Sequence, residues 1–312
     1  MIGNYPFDIL GNVVLVKFSP ETKVSEKKKF AQKLLKETSA TTILEKVGKF
    51  SGRLRKQKTK FVAGEKTKEI RYRENDCLFR FNIDTTYFSP RLSNERKEIA
   101  SQIKKDEKVL VMFAGVAPFP IVIAKNSRAE KIYSNEINRE ANKYAKLNIE
   151  LNKLKNKVFL LPGDIKKVAE KIGSLRSQSA NTPDHHPKLA AHSRSQINKI
   201  VNKKNSYVNC SSNFRATLER GKFSNIPKTF DVIVMPRPNL KDSFLKYAFA
   251  LSKKGTRIFY YGFCKEEDKE KLIDGIKEEA RTAKKKIKIL ETKKAGEIGP
   301  HKIRLRVDFR VV

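Results

Sequence analysis

The chain has 312 residues and carries 68 Lys+Arg against 34 Asp+Glu, a formal charge of +34. This length is ample for a buried core, and 39% hydrophobic residues are too many for a disordered chain. No window approaches the roughly 18 uninterrupted apolar residues of a membrane span, and the start lacks the basic segment of a secretory signal.

The charge surplus predicts a polyanionic partner, of which nucleic acid is the commonest. It is spread along the chain, at +10 over residues 1–98 and +7 over 174–227. The run Lys46–Lys60 is sharper, with seven basic residues and no acid. Cys77, Cys210 and Cys264 are scattered without CxxC spacing, which predicts neither disulfides nor a zinc site and fits a reducing cytoplasm. His185, His186 and His192 lack a supporting ligand pattern beyond Asp184, so no metal is expected.

Residues 1–98 read as a small α+β domain. GNVVLVKF suggests a strand through Val13, Leu15 and Lys17, and Ser25–Lys36 has helical spacing with Ser25 as N-cap. The strand-like runs KTKFVA and CLFRFNI follow, with turn residues at 63–65 and 74–76, and Ser93 opens a helix to Ile103. From Lys108 onward, strands alternate with helices. The strands are VLVMFAG, KIYSNEIN, VFLLPGD, TFDVIVMPRP, GTRIFYYGF and IRLRVDFRVV, the last pair antiparallel, with helices at 118–124 and 139–152. This rhythm predicts an α/β fold with a Rossmann-like, mostly parallel sheet over residues 99–312, whose ligand sits at the carboxyl ends of the strands. The polar stretch 174–227 breaks it and reads as a flexible insertion with a short helix at 195–204.

Three strand ends carry ligand-type residues. The glycine-containing turn of VLVMFAGVAPFPI (109–121) allows close approach to the backbone at a helix N-terminus. Glu136 ends the next strand, where a carboxylate can take ribose hydroxyls, and Asp164 ends the third. Neither GxGxxG nor a GKS/GKT phosphate loop is present, so S-adenosylmethionine, which needs no phosphate cradle, is the natural ligand. YFSPRLSNER (87–96) precedes this unit; its Glu95 and Arg96 read either as an ion pair at a domain junction or as an acid/base pair facing the cleft.

The ordered set SGRLRK, YFSPRLSNER, MFAGVAPF, EIN, GD and MPRP resembles archaeal and eukaryotic class I tRNA (guanine-N1)-methyltransferases, which modify guanine 37 beside the anticodon. The resemblance spans nearly the whole chain outside 174–227. It implies that the family's N-terminal elbow-binding domain is lacking here and that the partner is the tRNA anticodon stem-loop, bound by a monomer. It also implies Glu95 as the base removing the N1 proton and Arg55 as the group stabilising charge on guanine O6. Tyr87, Arg91 and Arg96 would shape the cleft, and Pro238 would border the transfer site. Phe113, Gly115, Val116, Glu136, Asn138 and Asp164 would bind S-adenosylmethionine. Three positions depart from the family: Val111 replaces an acid, Ala117 a glycine, and Pro236-Arg237-Pro238 an Asn-x-Pro motif. Aminocarboxypropyl transfer from the same cofactor and a catalytically silent RNA-binding protein are the alternatives.

Overall fold

The computed structural model describes residues 5–52, 56–178 and 226–312. Arg55, Cys210, the histidines at 185, 186 and 192 and the helix expected at 195–204 lie outside the described residues. Those up to Ala169 and from Thr229 onward form one compact unit; the second, Glu170–Lys228, is described only at its two ends. No described helix is long and apolar enough to cross a membrane.

The chain opens with a four-stranded sheet of order β1-β2-β3-β4, built from β1 (Phe7–Leu10), β2 (Val13–Val16), β3 (Thr42–Ser51) and β4 (Lys56–Gly64). Helix α1 (Val24–Glu37) packs Phe30, Ala31 and Leu34 against Val14, Val16 and Ile43. The capping position is Lys23, which makes no side-chain cap, so Ser25 lies inside the helix and is not its N-cap. The strand predicted through Lys17 stops at Val16. β1 escapes sequence reading because only one of its four residues is buried, leaving no alternation to see.

β5 (Glu69–Glu74) and β6 (Cys77–Asn82) form a hairpin whose turn residues Asn75 and Asp76 both have positive φ, 46° and 58°. That geometry matches the twist of a two-residue hairpin. The Gly11–Asn12 turn docks on β5: Asn12 Oδ1 accepts from the Arg71 N–H at 2.7 Å, and Gly11 has φ +56°. A Cβ on Gly11 would stand 1.8 Å from the Arg71 carbonyl oxygen. Gly11→Ala is therefore expected to cost about 2–4 kcal/mol through backbone strain and the lost turn contact, read as a lower denaturant midpoint with unchanged slope.

The main sheet has seven strands in the order β12-β13-β11-β10-β7-β8-β9. β7 (Lys108–Val111), α3 (Pro118–Asn126), β8 (Lys131–Glu136), α4 (Arg139–Leu151), β9 (Val158–Pro162) and α5 (Ile165–Gln178) alternate as expected. β10 (Phe230–Met235), α6 (Leu245–Ala250), β11 (Ser252–Lys265), α7 (Lys269–Thr282), β12 (Ile287–Gly299) and β13 (Lys302–Val311) complete the unit. β7, β8, β9, β10 and β11 are parallel, whereas β13 is antiparallel to both β11 and β12. α5 continues to Gln178, so the stretch expected as an insertion from 174 begins as helix.

The N-terminal third and the main sheet share one core, in which Leu15, Ile70 and Phe81 join Val109, Val122 and Tyr261. Asn148 of α4 and Asn152 at its C-cap tie them further. Asn148 and Asn152 accept from the N–H groups of Arg80 (2.7 Å) and Leu78 (2.9 Å) and donate to the carbonyls of the same residues. Four helical residues rise about 6 Å and two strand residues about 6.6 Å, so the side-chain amides continue the ladder along the edge of β6.

Candidate active site

A cavity opens at the carboxyl ends of β7, β8, β9 and β10, lined by Phe113, Gly115, Glu136, Asn138, Asp164 and Pro238 among others. It begins where β7 ends. VLVMFAG does not continue as a strand beyond Val111, because Phe113, Gly115 and Ala117 adopt left-handed backbone with φ of 58°, 59° and 67°. The turn is fastened to both neighbouring strands: Met112 N–H donates to Val234 O and Ala114 N–H to Asn135 O, each at 2.9 Å. Ala117 is where the resemblance expects glycine, and its left-handed conformation costs roughly 1 kcal/mol. Pro118 follows at the first position of α3, where its missing N–H is harmless.

Glu136 organises the middle of the site. Its Oε2 accepts from the Gly115 N–H at 2.8 Å and its Oε1 from the Asn138 N–H at 2.7 Å. Asn138 caps α4 by accepting from Glu140 N–H and donates to the Thr85 carbonyl, holding the segment before Tyr87. Asp164 Oδ1 accepts from the Lys166 N–H at the start of α5. The Gly115 backbone and the carboxylates of Glu136 and Asp164 thus meet in one cavity, and carboxylate acceptors placed this way fit the ribose hydroxyls and adenine amino group of S-adenosylmethionine.

Tyr87 and Leu92 bring YFSPRLSNER to the same cavity, with the Tyr87 carbonyl beside Gly115. Ser89 is extended (φ −121°, ψ 105°), as a residue before proline should be. The fourth strand end is held by Arg237, a residue missed from sequence. Its guanidinium donates to Tyr260 Oη at 2.9 Å and to the carbonyls of Pro238, Leu240 and Asp242. This places Pro236, Pro238 and Leu240 on the rim.

The remaining expected site residues lie elsewhere. Val116 is fully buried in the core and absent from the cavity lining; its carbonyl accepts from Asn148. Arg91 is exposed and does not line the cavity. Arg96, 1% exposed, faces away from it: Nη2 donates to Glu74 Oε2 at 2.6 Å and to Ser89 O at 3.0 Å, and Nε also pairs with Glu74. It stacks over Phe88 and Phe119, neither of which lines the cavity. The ion-pair reading of this segment therefore holds for Arg96, although the partner is Glu74 and not Glu95.

Glu95 is also buried. Its Oε2 accepts from Tyr261 Oη at 2.9 Å and from Arg306 Nη1 at 3.0 Å. Arg306, fully buried on β13, is the hub of this region and pairs with Glu95, Glu98, Glu291 and Asp308 at 2.8–3.0 Å. Neither Tyr261 nor Arg306 was singled out from sequence. The available signal was the two-residue spacing of Arg304, Arg306 and Asp308 in IRLRVDFRVV, which puts three charges on one face of an apolar strand.

Burial pushes the Asp308 carboxyl up to about 7 against the opposing pull of Arg306. A carboxyl whose folded pKa is raised favours the folded state below its unfolded pKa, and that contribution fades as pH rises through the folded one. Between pH 5 and 8, wild-type stability should therefore fall with rising pH more steeply than that of Asp308→Asn. Melting temperatures of both across that window test this; parallel curves would refute it.

Residues 70–176 match the family model described as the TRM5/TYW2 methyltransferase domain. Over 98% of its length the chain is 32% identical to the tRNA (guanine(37)-N(1))/4-demethylwyosine(37)-methyltransferase Taw22 of Nanoarchaeum equitans, covering 99% of that protein. The crystal structure of Trm5b from Pyrococcus abyssi is similar with a TM-score of 0.69 at 26% identity, over 98% of this chain and 74% of that one. The tRNA(Phe) (4-demethylwyosine(37)-C(7)) aminocarboxypropyltransferase of Methanocaldococcus jannaschii is 32% identical over 52% of this chain and 64% of its own length. With a full-length relative above 30% identity and the family's sheet around the cavity, this chain belongs to the TRM5/TYW2 methyltransferase family.

Proposed function

We propose that the chain transfers a methyl group from S-adenosylmethionine to N1 of guanine 37 in tRNA, acting on the anticodon stem-loop as a cytoplasmic monomer. One observation carries the reading: Gly115, Glu136 and Asp164 share a single cavity with Tyr87 and Leu92 of YFSPRLSNER. Cofactor-type groups and the substrate-side motif thus meet where a methyl can pass between them.

Bound S-adenosylmethionine supplies an electrophilic methyl on a sulfonium. Phe113, Gly115, Glu136, Asn138 and Asp164 hold it, and the Val111 side chain brings no acid for its ammonium group. Neutral guanine N1 is a poor nucleophile, so its proton must leave as the methyl arrives, and Glu95 is assigned as the base. Arg55, outside the described residues, is assigned to charge developing on O6. Tyr87 and Pro238 border the base, whereas Arg91 at the surface is assigned to the RNA backbone.

Labelled cofactor with two tRNA transcripts differing only at position 37 tests this. Guanine should be methylated and adenine should not; equal labelling of both would sink the assignment. The name of the Nanoarchaeum equitans relative favours a second substrate, 4-demethylwyosine at the same position. Mass spectrometry of the product nucleoside separates methyl from aminocarboxypropyl transfer. Calorimetric titration showing no cofactor binding at millimolar concentration would point to a silent RNA-binding protein.

A further inference from the structure

We propose that Arg304 is a substrate-binding residue that takes a backbone phosphate beside the target guanine, on a cationic track along β13. The proposal rests on the reading of tRNA as the substrate. Lys302, Arg304 and Arg306 are spaced by two, and a strand sends alternate residues to one face. Register fixes that face: Lys302 pairs with Lys265 of β11, Arg304 with Phe263 and Arg306 with Tyr261. Arg304 and Tyr261 both line the cavity, so the track runs along the side turned to it.

Burial grades the three cations over roughly 13 Å of strand. Lys302 is exposed, Arg304 is 8% exposed, and Arg306 is fully buried. Arg306 is matched by the carboxylates around it, of which Glu95 is one. Arg304 stands two residues nearer solvent, about 6.6 Å along the strand. A nucleotide whose base reaches Glu95 therefore carries its charged backbone past Arg304 and out toward Lys302. At the strand end Lys302 faces Lys265 directly, and opposed like charges cost stability. The exposed Lys265–Glu267 pair at 3.2 Å offsets little of this, whereas a polyanion between the lysines relieves it.

The chemistry of Arg304 suits phosphate. Its guanidinium lies over the Phe263 ring, 5.5 Å from the centroid. Stacking engages the flat face, while the N–H groups lie in the plane, where they can grip two phosphate oxygens together. The cavity's acids stand at its other end. Glu136 closes β8, four strand spacings from β13, or roughly 19 Å. Acceptors for the cofactor and a donor for the substrate's phosphate are thus segregated across one cavity.

The test measures binding of a guanine-37 anticodon stem-loop across a potassium chloride series. Arg304→Gln should bind about tenfold more weakly at low salt, with a salt slope shallower by roughly 0.7–1. Arg304→Met, which keeps most of the stem on Phe263, should repeat that slope. Arg304→Lys should keep the wild-type slope, because it keeps the charge. Cofactor affinity by calorimetry and melting temperature should stay near wild type in all three. A neutral methylphosphonate linkage on one side of nucleotide 37 should weaken wild-type binding and add little to Arg304→Gln, since both remove one contact. Equal weakening of wild type and Arg304→Gln by linkages on both sides overturns the proposal. So does an unchanged slope in both uncharged variants. A slow single turnover beside that unchanged slope would move the arginine to guanine O6, and a loss confined to cofactor affinity would move it to the cofactor carboxylate. Wild type that does not bind the loop overturns the tRNA reading as well.

Discussion

Replacing Arg306 by methionine is expected to lower the melting temperature by roughly 10 °C, corresponding to a loss of about 3–5 kcal/mol. The side chain has no exposed surface and touches four carboxylates, those of Glu95, Glu98, Glu291 and Asp308. Glu98 has a second cation in Lys293, and Glu291 reaches the surface. Glu95 and Asp308 have no second cation at ion-pair distance among the described residues: with Arg306 gone, both carboxyls are left buried without a counter-charge. Methionine fills most of the volume, so the loss reports uncompensated charge and not a cavity. Adding Asp308→Asn to Arg306→Met should recover part of the loss, because one buried carboxylate is then removed. A shift below about 3 °C for the single variant would show that the cluster relaxes to water and is not the anchor of the sheet edge.

Glu95→Gln is expected to slow methyl transfer by about 10²–10⁴-fold with little change in cofactor or tRNA affinity. The amide keeps an oxygen to accept from Tyr261 and Arg306, so the fold should survive, but it cannot take up the N1 proton. The loss therefore belongs to the chemical step and appears undiminished in single turnover. The melting temperature separates this from collapse of the charge cluster. A fall as large as that of Arg306→Met would mean that the carboxylate serves the fold first. Near wild-type single-turnover rates would mean that another group removes the proton.

Where burial follows sequence period, the elements were legible. β7, β9 and β10 read as apolar runs because parallel strands are covered on both faces, and α4 read as a helix from its amphipathic spacing. β3 and β12 were missed because their solvent-facing positions carry Lys and Glu and look like charge runs until a partner strand is known. Val116 was misplaced among the cofactor ligands for a related reason. A turn with three left-handed residues sends alternate side chains to core and cavity in an order that local sequence does not encode.

The sequence by itself determined the strand-end positions of Gly115, Glu136 and Asp164, the break at Ser89-Pro90 and the family to which these belong, because each depends on neighbours a few residues away. The tertiary structure decided which charges are paired. Arg96 went to Glu74, 22 residues away, and Glu95 to Arg306, 211 residues away. In water all four are ordinary surface-type ions. Only the meeting of α2 (Ser93–Gln102) with β5 and β13 excludes solvent around them, and that exclusion turned a general surplus of charge into specific pairs.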